Sequence, residues 1–405
     1  MALARTAPFR EELERRFPRR PFDLEFWDGT SLPATEPNAG PRFTVRSPKA
    51  VAHALRAPGE LGLGRAYVSG ELHVDDLDAA LNVLDTWQPP PLPRGDRARL
   101  ALAAVRAAGI TRPPAPPSVE LRLRGQRHTR HRDAAAVRHH YDVGNDFYKL
   151  MLDESMTYSC AIFSRGATTL EEAQETKLDL VCTKLGLQPG QRVLDVGCGW
   201  GSFTRIAAGR YGAEVVGITL SEPQAVLARQ RAAEAGLADK IDIRVMDYRE
   251  LAGEQFDAVA SIGMVEHVGE VNIDLYARQL AGLLKPGGRL LNHGIARMKL
   301  GDPEGGPFSE RYVFPDGAPL HLSRIQLAIE RAGLEVHTVE GFREDYVETL
   351  RLWARNLDDN LPEATRLAGG ERVRVWRLYL RAARNGFETR FTSIFQVLCS
   401  RPEQA

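Results

Sequence analysis

The sequence predicts an α/β protein: a Rossmann-like, seven-stranded sheet with helices on both faces, preceded by a small α+β part. Three observations carry this. From about residue 190 onward, short apolar runs alternate with helical patterns, the signature of a sheet built from crossover units. The turn Gly197-Cys198-Gly199-Trp200-Gly201 joins the first of these runs to a helix. At about 150 residues per domain, a chain of 405 residues holds two or three folded parts.

The elements follow in order. Residues 1–93 mix strand-like runs (22–27 and 42–45) with helical patterns (48–55 and 77–86). They contain no acid/base cluster and no phosphate loop, and read as an accessory α+β domain. Residues 94–132 follow the proline cluster Pro89–Pro93 and hold Pro113, Pro114, Pro116 and Pro117. Proline opposes regular helix and favours extended chain, so this stretch reads as a linker with a short helix at 95–108. Residues 133–405 form the main domain. Its strands are expected at 192–195, 214–218, 241–246, 256–262, 289–292, 334–340 and 391–398. Helices are expected at 202–211, 222–235, 273–284 and 323–332, the last capped by Ser323, with further helical stretches from 344 to 386.

Composition narrows the function classes. The chain has 53 basic and 53 acidic side chains, and 43% of its residues are hydrophobic. That excludes a disordered chain and a uniformly basic nucleic-acid binder. No run reaches the 18 or so apolar residues of a membrane span, and the N-terminus lacks the apolar core of a secretory signal. The four cysteines, Cys160, Cys182, Cys198 and Cys399, show no CxxC spacing. Reduced thiols in a cytoplasmic protein, with no metal site, are the expectation. The net zero is a sum of unequal parts. Residues 1–93 carry 11 basic and 13 acidic groups, 94–132 carry 10 and 2, and 133–405 carry 32 and 38. The linker is therefore at +8, and its arginines are expected to meet anionic lipid headgroups.

The glycine turn places backbone close to a ligand at the positive end of a helix. Its spacing is GxGxG, with Ser202 where a dinucleotide fingerprint has a third glycine. Thr219 stands where a nicotinamide site ends its second strand with an acid. With Asp195 before the turn, Asp247 after the third strand and Pro286-Gly287-Gly288 before the fifth, the pattern points to a class I S-adenosylmethionine methyltransferase.

Further motifs sharpen this. His139-His140-Tyr141-Asp142-Val143-Gly144-Asn145-Asp146-Phe147-Tyr148, Met156-Thr157-Tyr158-Ser159-Cys160-Ala161, residues 193–201 and Ser261-Ile262-Gly263-Met264-Val265-Glu266-His267-Val268-Gly269 closely resemble the cyclopropane-fatty-acyl-phospholipid synthases and mycolic acid cyclopropane synthases. Tyr67-Val68-Ser69-Gly70-Glu71 resembles the lipid-binding accessory domain of the full-length bacterial members. The resemblance implies methyl transfer from S-adenosylmethionine to the cis double bond of an unsaturated phospholipid acyl chain. A carbocation forms, and loss of a proton closes a cyclopropane ring.

The resemblance also implies residue roles. A bicarbonate base is held by Glu266, His293, Tyr312 and the backbones of Cys160 and Ile295. The cofactor is bound by Tyr158, Ser159, Asp195, Gly197, Gly199, Thr219, Leu220, Gln224, Asp247, Tyr248 and Ile262. Gln224 takes the place of the missing acid as ribose partner. Residues 296–322, rich in Gly and Pro, are expected to cap the substrate, and Phe147, Tyr148, Tyr158, Phe163, Phe308, Tyr312, Phe314 and Tyr346 to face the cation and wall the acyl tunnel. One position departs from the family pattern: Ala383 in Tyr379–Phe387 stands where a cysteine is usual. That leaves a methylene-branched product as the alternative to a ring. Implied partners are phospholipid at the inner membrane surface and a second copy in a homodimer. A methyltransferase of a polar small molecule or of RNA is the competing class, but the linker arginines lack interleaved aromatic residues for base stacking, so no nucleic-acid partner is expected.

Overall fold

A computed structural model describes residues 5–36, 40–109, 114–141, 143–303 and 305–403. Pro113 and Asp142 lie outside the described residues. The chain divides into two compact units, and the division differs from the expected one. The first comprises Met1–Leu121, Gly306–Tyr312 and Gly369–Asn385; the second comprises Arg122–Gly305, Val313–Ala368 and Gly386–Ala405.

The first unit holds a four-stranded sheet of β1 (Asp23–Phe26), β2 (Ser31–Leu32), β3 (Arg42–Val45) and β4 (Leu72–Val74), in the order β2-β1-β3-β4. The expected linker is not a free connector. Residues Arg94–Ala108 form a helix that buries Ala103, Ala104, Ala107 and Ala108 and packs on the helices Ala7–Arg16 and Pro48–Arg56. Polar side chains fasten the distant segments into the unit. Buried Arg65 donates twice to Glu120, at 2.6 and 2.7 Å, and the Tyr312 hydroxyl donates to the same carboxylate at 2.9 Å. Phe308 packs so closely on the helix Glu60–Val68 that a Cβ at Gly64 would lie 2.4 Å from its ring. Arg374 donates to the Val68 carbonyl at 2.8 Å, and Arg381 and Arg384 pair with Asp78. The boundary at 368/369 coincides with Gly369, whose φ of 76° interrupts the helix Leu361–Glu388.

The second unit is built on a seven-stranded sheet. Its strands are β5 (Arg192–Val196), β6 (Glu214–Thr219), β7 (Ile241–Val245), β8 (Phe256–Ile262), β9 (Leu284–Arg297), β10 (Glu335–Gly341) and β11 (Thr392–Ser400). The order is β10-β11-β9-β8-β5-β6-β7. β5 to β9 run parallel, and β11 runs antiparallel to both its neighbours, so the sheet is mixed. Central strands are apolar on both faces, as a sheet covered by helices requires. Val193, Val215, Ala258 and Leu291 face one core, while Leu194, Val216, Val259 and Leu290 face the other. Strand order reverses at β5, the switch point where open α/β sheets bind ligands.

Three local expectations change. The helix near 323 runs Leu322–Arg331 and is capped by the His321 ring, which accepts from the Ser323 N–H at 3.2 Å, so Ser323 is not the cap. Two helices in the second unit, Arg130–Tyr141 and Leu170–Leu185, were not anticipated. The basic arginines near 130 have partners within the chain: Arg127 and Arg132 pair with Asp316, and Arg130 with Glu250. No described helix is long and apolar enough to cross a membrane.

Candidate functional site

All eleven residues predicted to bind cofactor line one cavity in the second unit, at the carboxyl ends of β5, β6 and β8. The turn after β5 explains its shape. Gly197, Gly199 and Gly201 all have positive φ, at 82°, 53° and 78°, a region side chains disfavour. The Gly197 and Cys198 N–H groups both donate to the Ile218 carbonyl at 2.9 Å, which ties the turn to β6. A Cβ at Gly197 would lie 3.3 Å from Met264. The chain then enters the helix Ser202–Arg210, whose positive end faces the cavity side.

Beyond β6, the Thr219 hydroxyl donates to the Gln224 Oε1 at 2.8 Å. That bond fixes the amide so that its NH2 is left as a donor; among the described hydrogen bonds it has no protein acceptor. Gln224 can therefore replace an acid opposite a ribose hydroxyl. After β7, Asp247 accepts from Arg249 at 2.8 and 2.6 Å, and Arg249 reaches Asp133 at 2.8 Å. Burial works against the Asp247 carboxylate, but the Arg249 hydrogen bonds outweigh it and hold its pKa below the usual value. Tyr248 lies beneath the Arg249 guanidinium at 5.4 Å. At the opposite end, the Tyr158 ring lies 5.5 Å from His140 and 5.1 Å from Trp353.

Behind the cavity wall lies a second polar group. The β8–β9 ladder ends where Ile262 pairs with His293. Two residues on, β8 has ended on that side, and the Ile295 N–H needs another acceptor. Glu266 supplies it: its Oε1 accepts that N–H at 2.7 Å. The predicted backbone donor Ile295 is thus already engaged by Glu266. The other oxygen, Oε2, is buried without a partner, as are both ring nitrogens of His293. Burial raises the Glu266 pKa to about 7. Burial first, and then Lys177 and Lys184, hold His293 well below the usual value, so it is neutral. Cys160 meets His293 at Phe342: its thiol lies 3.8 Å from the Phe342 carbonyl, and the His293 ring is 6.3 Å from the Phe342 ring. Burial raises the thiol pKa well above its usual value, which fits a backbone role and not a nucleophile.

Tyr312 falls in the first unit, where its hydroxyl donates to Glu120 at 2.9 Å. Tyr346 lies one helical turn after Phe342, on the helix Arg343–Asp359, with its ring 6.1 Å from Trp353. The same helix holds the Cys160 segment: Asp345 accepts the N–H groups of Phe163 and Ser164, and Thr349 that of Ala161.

Two residues of the site were missed from sequence, Gln174 and Lys177, both fully buried on the helix Leu170–Leu185. Gln174 donates to the Thr157 and Ser159 carbonyls, at 3.1 and 2.8 Å, and Lys177 donates to the Ser159 Oγ at 2.7 Å. A usable signal existed: this chain has only seven lysines against 46 arginines, and Lys177 lies one turn from Gln174 beside the apolar Leu178 and Val181. Among the described residues no group of side chains is arranged to hold a metal ion.

A consequence for stability follows from Glu266. Its pKa stands at about 7 when folded and near 4.3 when unfolded. Between those values the folded chain keeps a proton that the unfolded chain releases, so this group's contribution falls as pH rises. Glu266→Gln removes the effect and keeps an acceptor for Ile295. The stability of Glu266→Gln relative to wild type is expected to grow by about 2–3 kcal/mol between pH 5 and pH 8. Paired denaturant titrations at the two pH values check this; a difference independent of pH contradicts the buried-carboxyl assignment.

The fold and the cavity define a class I S-adenosylmethionine-dependent methyltransferase. A family model for mycolic acid cyclopropane synthetase matches residues 128–397. The chain belongs to this cyclopropane-fatty-acyl-phospholipid and mycolic acid synthase family. It is 39% identical over 388 residues to a probable fatty acid methyltransferase of Pseudomonas putida, covering 94% of this chain and 92% of that one. It is 34% identical over 344 residues to the cyclopropane-fatty-acyl-phospholipid synthase of Escherichia coli K12, covering 85% and 84%. The structure of mycolic acid cyclopropane synthase CmaA1 complexed with SAH and CTAB superposes with a TM-score of 0.63 at 33% identity, over 66% of this chain and 98% of that one. The enzyme is an S-adenosylmethionine-dependent C-methyltransferase acting on fatty-acyl chains.

Proposed function

We propose that the enzyme methylates the cis double bond of unsaturated acyl chains in phospholipid and closes a cyclopropane ring. The observation that carries this reading is the pair of unsatisfied buried groups, Glu266 Oε2 and the His293 ring. Buried polar atoms without partners cost several kcal/mol, so a small polar guest between them is favoured. Bicarbonate suits the chemistry of this donor and acceptor set. Its hydroxyl matches the Glu266 carboxylate, and its oxygens match a His293 N–H. When bound, it supplies the base that removes the proton as the ring closes.

The chain's own residues do the rest. Ile295 fixes the Glu266 carboxylate, and Phe342 braces His293 from its ring face. The site is buried, which keeps water from a carbocation, and aligning a weakly nucleophilic alkene with the sulfonium methyl supplies much of the rate. Tyr148, Tyr158, Trp353 and Tyr346 offer ring faces to positive charge.

A second product is favoured by two observations: Ala383 at the position where the family usually has cysteine, and a 39% identical relative described as a fatty acid methyltransferase. The same transfer followed by a hydride shift and proton loss leaves a methylene branch. We place the enzyme in the cytoplasm, peripheral at the inner membrane surface, as a homodimer. Proton NMR of lipid extracted from dioleoylphosphatidylglycerol vesicles after turnover separates the products. High-field ring protons support cyclopropanation, and vinylidene protons replace it with the branched product.

A further inference from the structure

The cofactor cavity holds two buried ionisable groups that do not hydrogen-bond to each other. Lys177 is fully buried, lines the cavity and donates to the Ser159 Oγ at 2.7 Å. Among the described hydrogen bonds that is its one acceptor, so an ammonium with three donors has capacity left. Asp195, at the end of β5, lines the same cavity, and its Oδ2 is buried without a partner. Among the described residues no hydrogen bond joins the two. Burying two such groups is costly unless their hydrogen-bonding capacity is filled, and further hydrogen bonds hold the arrangement. Gln174, one turn before Lys177, pins the Thr157 and Ser159 carbonyls and so fixes the hydroxyl that orients the ammonium.

A ligand that carries a carboxylate and an ammonium on one carbon satisfies both groups at once. The amino-acid end of S-adenosylmethionine and S-adenosylhomocysteine is such a zwitterion. The opposite end of the cavity, with Gln224, Asp247 and Tyr248, offers the hydrogen-bonding and ring groups suited to a nucleoside. We propose that Lys177 is a cofactor-binding residue that receives the α-carboxylate of the methionine end, with Asp195 taking the ammonium. The charged pair then reads the zwitterion, and the cavity discriminates against adenosyl thioethers lacking the amino-acid end.

The test is calorimetric and uses the full chain. Three probes are titrated: S-adenosylhomocysteine, its decarboxylated form, which keeps the ammonium, and 5′-methylthioadenosine, which lacks both groups. Charge-assisted hydrogen bonds of this kind give about 10- to 100-fold in affinity. Wild type is expected to prefer S-adenosylhomocysteine over its decarboxylated form by about 30-fold. Lys177→Met is expected to lose that preference while binding 5′-methylthioadenosine as wild type does. Loss of all three ligands together means that Lys177 only supports the fold and overturns the proposal. Retention of the carboxylate preference in Lys177→Met also overturns it. If Lys177→Met does not fold, the wild-type comparison decides: equal affinity for the carboxylated and decarboxylated probes removes the proposal, and Lys177→Gln, which keeps a donor to Ser159, replaces it for the variant arm.

Discussion

Glu266→Gln is expected to lower turnover by about 100-fold or more, the range of a lost acid–base contribution, and to leave S-adenosylhomocysteine affinity unchanged. The residue stands outside the cofactor cavity and one oxygen is held by the Ile295 N–H. Glutamine reproduces that acceptor and the shape, so the fold and the cofactor site persist. What it loses is the negative charge on the free oxygen, the partner for an O–H donor. The wild-type carboxyl, at about pH 7, must be ionised to act as that partner. Wild-type turnover should therefore rise with pH and reach half its plateau near 7. The residual rate of the variant should show no such step. Turnover of Glu266→Gln at the wild-type level would remove Glu266 from the chemistry. Together with its expected gain in stability at pH 8, the variant would be more stable and nearly inactive, the pattern of a group retained for function.

The second large effect is expected at Gly294. This residue lies on β9 between His293 and Ile295, and a Cβ there would come 2.2 Å from the Val265 Cγ1. Val265 is buried and immediately precedes Glu266 in the turn Val265–His267. Gly294→Ala must push that turn away from the strand and so break the Glu266–Ile295 bond. Overpacking of this kind costs about 1–3 kcal/mol, and a displacement of about 1 Å in a catalytic group reduces rate about 100-fold. Removing the obstructing methyl should restore both properties. Val265→Ala with Gly294→Ala is expected to recover turnover to within about tenfold of wild type, a coupling that a double-mutant cycle measures directly. A fully active Gly294→Ala, or a double variant no better than the single one, would show that the turn does not position Glu266.

How much of this was legible beforehand depends on where the information lies in the chain. Local pattern singled out the glycine turn, Asp195, Thr219 and Asp247, whose spacing is set by strand–turn–helix units; Tyr158, Ser159, Leu220, Gln224, Tyr248 and Ile262 were named through motif resemblance, and all eleven line the cavity. The relation of Glu266 to His293 was accessible through motif resemblance, but the use of the Ile295 N–H by Glu266 was not. It arises because β8 ends one residue pair too early to serve that donor, a fact of register. Lys177 and Gln174 were hidden because polar residues inside a helical face weaken the amphipathic pattern that reveals a helix. The domain boundary failed for a different reason. Gly306–Tyr312 and Gly369–Asn385 join the first unit through Glu60, Arg65, Glu120 and Asp78, and no local composition shift marks pairings across hundreds of residues. The hydrogen bond from Tyr312 to Glu120 is another such pairing, across 192 residues of chain. The mixed sheet has one antiparallel strand because β11 returns from the helix Leu361–Glu388 to pair with β9.

The central claim is that the enzyme adds one carbon from S-adenosylmethionine to the double bond of an acyl chain in phospholipid. The most direct measurement is mass spectrometry of vesicle lipids after incubation of the full chain with S-adenosylmethionine. Parallel samples use dioleoyl and fully saturated phosphatidylglycerol. The dioleoyl lipid is expected to gain the mass of one or two methylene groups, in its acyl chains, and the saturated lipid none. No mass gain in the dioleoyl sample under conditions where S-adenosylhomocysteine binds, or a methyl group found on the headgroup, would contradict it.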